Sequence, residues 1–392
     1  MSARPVVDPF SPATLGPLTL RNRVIKAATF EGVMRRGAVS DELIEFHRRV
    51  AAGGVGMTTV AYCAVSMDGR VQRNTLVMDP ERVGDLTRLT DAVHAEGAAI
   101  SAQLGHAGLV ANTRSNGMAT MAPSTRFSGP AMARVKAATH SQLDRVVDDF
   151  ARATRVAADA GFDAVEVHLG HNYLLSSFMS PNLNHRTDRY GGSIENRSAY
   201  PRRVLAAVRE AAPDHMAVTA KFNMADGVDG GLWLDESIPM AKLIEADGHL
   251  DAMQLTGGSS LLNGMYFFRG DVPLKEFRAS QPAIVGLGLK FYGPKLFPKY
   301  PYEEGFFLPF ARQFRDELTM PLILLGGINL RETIDEALGE GFEFVAMARA
   351  LLREPDLINR MQADPEHVGL CVHCNKCLPT IYTGTRCVLT DR

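Results

Sequence analysis

Three side chains able to hold or move a proton stand within six residues of one another: His168, His171 and Tyr173. They follow a run, Phe162 to Val167 in FDAVEVHLGHNYLL, that alternates and then turns apolar and β-branched, as a strand buried on both faces does. His168 ends that strand, and the loop beyond it is rich in Asn, Pro, Arg and Asp. Two imidazoles and a phenol there could hydrogen-bond a substrate oxygen and protonate a neighbouring atom. A phenol with a reference pKa of about 10 stays protonated at neutral pH and can donate without tuning. The same H-x-x-H spacing could also hold a metal on a barrel rim, as in a metal-dependent hydrolase. A histidine at a strand end can equally be a satisfied core residue.

Stepping from these residues to the elements that hold them, eight strand-like runs recur near 24–29, 55–61, 98–103, 163–168, 216–222, 251–256, 321–326 and 343–348. Helical patterns follow near 41–52, 82–96, 142–160, 194–212, 235–247, 303–317, 330–340 and 355–363. Ser40 or Asp41, Asp235 and Asn329 stand as helix caps. Eight strand–helix units with apolar strands imply a (β/α)8 TIM barrel, preceded by an N-terminal hairpin that turns at Gly16-Pro17. Barrels of this kind place chemistry at the C-terminal strand ends. The unusual residues fall there: Gln103 and His106 end the third strand, His168, His171 and Tyr173 end the fourth, and Lys221 ends the fifth.

One long irregular segment, Gly257 to Pro301, follows strand six, and aromatic residues run from Tyr266 and Phe267 through Phe291 and Tyr292 to Tyr302. It is read as a lid or pocket wall, with a contact in a homo-oligomer as the alternative. Arg269, Asp271, Lys275, Glu276 and Lys290 break any apolar face that could lie on a membrane.

The chain has 392 residues, 46% hydrophobic and 22% charged, with a net charge of −2. That balance leaves no electrostatic footprint for nucleic acid and points to a small-molecule substrate. The N-terminus carries prolines and an Asp where a signal peptide needs an apolar core, so a cytoplasmic location is expected. Four of the five cysteines, Cys371, Cys374, Cys377 and Cys387, crowd into the last 22 residues, a metal pattern or reactive tail rather than a disulfide frame. The expected organisation is a barrel over 1–365 and a Cys-rich tail over 366–392.

The central stretch closely resembles the signature of the old yellow enzyme family, H-x-x-[HN]-x-Y-L followed by F-x-S-P-x-x-N-x-R-x-D-x-Y-G-G-S-x-x-N-R. It is met by His168, His171, Tyr173, Leu174, Phe178, Ser180, Pro181, Asn184, Arg186, Asp188, Tyr190, Gly191, Gly192, Ser193, Asn196 and Arg197. Asn172 departs from it, standing where the family most often has Gly.

The resemblance implies a bound FMN whose pyrimidine edge is held by Gln103 and Lys221 and whose phosphate sits between Gly326-Gly327 and Ala348-Arg349. Ala27, Ala28 and Thr29 would touch the ring, with Tyr62 also facing the flavin; Phe30 departs from the Cys or Thr of many relatives. It further implies that NADH or NADPH reduces the flavin, which passes hydride to an activated alkene. His168 and His171 would then hold the substrate's carbonyl and Tyr173 would give the proton. A dehydrogenase or demethylase on the same fold is the alternative direction of the same chemistry.

The spacing C-x2-C-x2-C-x9-C at 371–387 resembles the tail of the branch that includes dienoyl-CoA reductases and trimethylamine dehydrogenase. In that branch four cysteines hold a [4Fe-4S] cluster. Zinc on Cys371, Cys374, Cys377 and either Cys387 or His373 competes with it, as does a loop of free thiols.

Overall fold

The computed structural model describes residues 7–390 apart from residue 282. Its centre is a closed parallel barrel of β1 (Val24–Lys26), β2 (Met57–Ala64), β3 (Ala99–Gly105), β4 (Ala164–Leu169), β5 (Ala217–Asn223), β6 (Ala252–Thr256), β7 (Leu322–Leu325) and β8 (Phe344–Met347). Met347 pairs with Lys26 and Lys26 with Thr58, which closes the ring. These strands read as apolar runs because both faces are covered: all eight positions of β2 and all six of β4 are buried.

The outer ring is α1 (Asp41–Ala52), α2 (Val83–His94), α3 (His140–Asp159), α4 (Ile194–Ala211), α5 (Leu234–Asp247), α6 (Leu308–Glu317), α7 (Arg331–Gly339) and the short α8 (Leu357–Ala363). Ser40 caps α1 by accepting from the Leu43 N–H at 3.1 Å, and Thr139 and Gln142 form a capping box at α3. Two expected caps are otherwise employed. Asp235 lies inside the first turn of α5, where its charge suits the helix dipole, after Trp233 at the cap. Asn329 gives its amide to Gly369 O at 2.7 Å, and the carboxylate of Glu304 takes the Asn329 and Leu330 N–H groups instead.

The hairpin, Ala13–Leu15 with Leu18–Leu20, plugs the N-terminal end of the barrel. Its leucines pack on Ile25, Met57, Ala164, Ala217, Ala252, Ile323 and Phe344, whose small side chains on β4, β5 and β6 make the room. That end is apolar, and the polar inward-facing residues Gln103, Glu166, Lys221 and Gln254 lie further toward the C-terminal end.

The segment after β6 is more regular than its sequence implies. It contains short helices at Met265–Phe268, Leu274–Ala279 and Ala283–Leu296. The segment after β3 also builds a small three-stranded sheet, Met121–Ala122, Arg126–Ser128 and Ala133–Ala137, which the sequence pattern does not announce. Among the described residues no helix is long and apolar enough to cross a membrane.

Candidate active site

The register of the parallel strands sorts the inward-facing side chains into levels. Glu166 pairs across from Gln103, Lys221 across from Gln254, and His168 across from Lys221. All five are buried. The Glu166 carboxylate accepts from Gln103 Nε2 at 2.7 Å, lies 3.2 Å from Lys221 Nζ and accepts from Gln254 Nε2. Sequence reasoning found Gln103 and Lys221 but missed Glu166 and Gln254. The available signal was that Glu166 lies two residues before His168 on one strand and so shares its face.

Above this layer lies the proton-bearing cluster. The His168 ring is 5.2 Å from that of His171 and 4.4 Å from that of Tyr173, and Tyr62 lies 5.3 Å from Tyr173. His171 Nε2 is hydrogen-bonded to Thr256 Oγ1 at 3.0 Å, while His168 Nδ1 is buried with no protein partner. The loop turns sharply here: His171 and Asn172 have φ of 59° and 57°, in the left-handed region. Asn is among the residues that tolerate this conformation, and its amide donates to Asp226 Oδ1 at 2.9 Å. The turn that Gly usually makes is therefore kept at Asn172. Phe267, from the segment after β6, stacks on His171 with centroids 4.5 Å apart, so that segment does reach the cluster as a wall.

Burial and neighbouring charge set the protonation states. Burial, His171 and Lys221 hold His168 well below the usual histidine range; burial and Lys221 bring His171 down to about 3. Both imidazoles are neutral at pH 7. Burial pushes the Tyr173 phenol upward, so it keeps its proton.

The unfolded chain's histidines titrate near about 6.5 and take up protons that the fold refuses. Stability is therefore whole above that pH and falls as the pH drops below it, by about 2 kcal/mol per such histidine at pH 5. Denaturant midpoints at pH 7.5 and 5 check this, and His171→Gln should flatten part of the slope. Equal wild-type stability at the two pH values would contradict neutral, buried imidazoles.

Around the mouth, Ala27 N–H donates to Met347 O at 2.8 Å, and the Thr29 hydroxyl to Glu31 Oε1 at 3.2 Å. Glu31 is buried, paired with Lys26 at 2.8 Å, and accepts from the Ala61 N–H at 2.9 Å, fixing the backbone that carries Tyr62. Ala28, Phe30 and Tyr173 pack on the Ala61–Tyr62 cluster.

At the ends of β7 and β8, Gly326 and Gly327 have φ of 118° and 78°. A Cβ on either would meet a phenylalanine ring, Phe307 or Phe306, at 2.5 Å. Only glycine fits this turn. Arg349, next to Ala348 after β8, gives Nη1 to Arg269 O at 3.0 Å, to Phe268 O and to Asn375 Oδ1. Part of its guanidinium thus ties the barrel to the insertion and the tail.

Residues 8–255 match the NADH:flavin oxidoreductase / NADH oxidase family. The chain belongs to that family. It is 72% identical over 391 residues to a 4,4'-dithiodibutanoate disulfide reductase of Rhodococcus erythropolis, covering 100% of this chain and 97% of that one. It is 30% identical over 350 residues to an NADPH dehydrogenase of Listeria welshimeri, covering 88% and 91%. A metal reductase of Desulforamulus reducens is 33% identical over 379 residues, 95% of this chain, which spans about half (52%) of that protein's length. The fold matches the old yellow enzyme homologue of Zymomonas mobilis with a TM-score of 0.73 at 22% identity, over 97% of this chain and 100% of that one.

As a member of this family the protein is an NAD(P)H:flavin oxidoreductase that binds FMN. The mouth suits that cofactor. A lysine for the reduced ring's negative charge, buried amides on β3 and β6 and a side-chain-free glycine turn all lie at one end of the barrel, and Gln254 Oε1 and His168 Nδ1 are buried without protein partners.

All four tail cysteines of this NAD(P)H:flavin oxidoreductase line one small cavity, together with Arg349, Arg353 and Asn375. Burial raises the thiols of Cys371 and Cys377, the latter to about 12. His373 is absent from that lining; it stacks on Tyr302 at 3.3 Å, with burial and Arg349 bringing it down to about 4. Among the described residues no three or more His, Cys, Asp or Glu side chains are arranged to hold a single metal ion. Neither a zinc site using His373 nor a hydrolase centre on His168 and His171 has its ligands gathered.

The tail also crosses the barrel mouth. Thr385 N–H donates to Glu31 O at 2.8 Å on one side, and Asn375 Nδ2 to Asp271 O at 2.9 Å on the other.

Proposed function

We propose that this flavoprotein carries two electrons from NADH or NADPH to the S–S bond of an organic disulfide dicarboxylate, 4,4'-dithiodibutanoate or a close analogue. The observation that carries this reading is the 72% identity with a reductase of that disulfide over essentially the whole of both chains. The balanced reaction is R–S–S–R plus NAD(P)H plus a proton, giving two R–SH and NAD(P)+. Bound FMN supplies the relay, accepting hydride from the nicotinamide and passing it on.

In this reading Gln103 and Lys221 hold the ring, Gly326, Gly327, Ala348 and Arg349 hold the phosphate, and Ala27, Ala28, Thr29 and Tyr62 line the ring's surroundings. His168 and His171, both neutral, are placed to donate hydrogen bonds to the bound substrate, and Phe267 closes the pocket over His171. The test is stoichiometry: anaerobic turnover with the disulfide should release two thiols per NAD(P)H consumed. Nicotinamide consumption without thiol release would defeat the proposal.

An activated alkene is the second reading, supported by the protonated Tyr173 lying 4.4 Å, ring to ring, from His168. Hydride delivered to such a carbon leaves an enolate, which the imidazoles would stabilise and Tyr173 would protonate.

For the tail, the proposal is a [4Fe-4S] cluster on Cys371, Cys374, Cys377 and Cys387, supported by the four thiols lining one cavity, the soft ligand set such a cluster uses. Cys374→Ser should lower both iron content and thermal midpoint. If neither changes, residues 371–387 are an ordinary loop of thiols.

A further inference from the structure

We infer that Glu166 is a positioning residue that sets the reduction potential of the bound flavin, by orienting Gln103 and by partly neutralising Lys221. The inference rests on the reading that those two residues hold the flavin's pyrimidine edge.

Glu166 is 4% exposed and meets donors from three other strands: Gln103 on β3, Lys221 on β5 and Gln254 on β6. An ionised carboxylate can only accept hydrogen bonds. Gln103 must therefore turn its NH2 toward Glu166, which leaves its Oε1 free to accept from elsewhere. Gln254 is turned the same way, and its Oε1 is buried without a protein partner. Glu166 thus decides that these amides offer acceptors to the mouth, as an imide N–H requires. Without it both amides could rotate.

The second effect is charge. Two cations, Lys26 and Lys221, and two carboxylates, Glu31 and Glu166, pair at 2.8 Å and 3.2 Å inside this end of the barrel. Their charges cancel. Replacing Glu166 by a neutral side chain leaves Lys221 unopposed in a site shielded from water, where a charge is felt strongly. The reduced ring carries its negative charge beside that lysine, so the reduced form gains more than the oxidised form.

The experiment is a spectroscopic measurement of the flavin midpoint potential in the holoenzyme, at one pH, for wild type, Glu166→Gln, Glu166→Asp and Lys221→Met. Glu166→Gln should bind reduced FMN about tenfold tighter relative to oxidised FMN, a shift of about 30 mV in the positive direction for a two-electron couple. Glu166→Asp keeps the charge and should move the same way by less. It carries the test if Glu166→Gln does not retain FMN. Lys221→Met should move the potential negative. An unchanged or lowered potential in the Glu166 variants, with Lys221→Met lowered, overturns the role of Glu166. An unchanged potential in Lys221→Met instead overturns the placement of the lysine on which the inference rests.

Discussion

Replacing Tyr173 by Phe is expected to leave flavin reduction by NADH or NADPH intact while slowing reoxidation by an enone about 100- to 10,000-fold, the range typical of a lost general acid. The change removes one hydroxyl from a ring held between His168 and Tyr62, so the packing survives. An enolate must be protonated at carbon, which is slow without a positioned acid. A disulfide asks for less. Its sulfur departs as a thiolate, and protonation at sulfur by water is fast, so no positioned acid is required. Tyr173→Phe should therefore spare disulfide reduction, and rapid mixing of the reduced variant with each oxidant separates the two readings. Equal loss on both would mean that the hydroxyl orients substrates rather than protonating them.

The largest effect on stability is expected at Asp226. Its carboxylate, 0% exposed, accepts from Asn172 at 2.9 Å, Asn223 at 2.8 Å, the Ser180 hydroxyl at 2.6 Å and the Leu232 N–H at 2.9 Å. These donors come from the end of β5 and the segments after β4 and β5, so one side chain ties the His171–Tyr173 turn to its neighbour. Asp226→Ala leaves several buried donors unpaired at roughly 1–3 kcal/mol each, for a total loss of at least about 3 kcal/mol. Urea unfolding measures it. A loss below about 1 kcal/mol would show that these donors find other partners. In a variant that still folds, His171 would lose its fixed position, and binding of substrate analogues should weaken along with stability.

The barrel was legible because parallel strands covered on both faces read as apolar runs, and all eight expected helices recur, the first at Asp41–Ala52 as expected and six others with ends moved by one or two residues. The helix expected at 303–317 begins only at Leu308, with Phe306 and Phe307 packed against Gly326-Gly327 instead. The proton-bearing cluster was legible too, since His168, His171 and Tyr173 are adjacent in sequence. Glu166 was not, because an acidic residue within VEVHL reads as an exception until the register sets it against Gln103 and near Lys221.

Helix Ala283–Leu296 escaped for another reason. Its sequence, AIVGLGLKFYGPKL, has three glycines and a proline and no clear apolar stripe, so neither propensity nor periodicity announces it. The path of the tail was beyond reach as well. Thr385 donates its N–H to Glu31 O and its hydroxyl to Phe30 O, more than 350 positions earlier, and backbone acceptors carry no residue signature.

The oxidative half-reaction with a disulfide distinguishes the two substrate classes most directly. Holoenzyme reduced anaerobically with one equivalent of NADH or NADPH would be mixed with 4,4'-dithiodibutanoate, following the flavin absorbance and the free thiols together. The predicted result is a return of the oxidised yellow spectrum with two thiols formed per flavin. Flavin that stays reduced in the presence of the disulfide, yet reoxidises with an enone, would contradict the disulfide assignment and leave the activated alkene as the substrate.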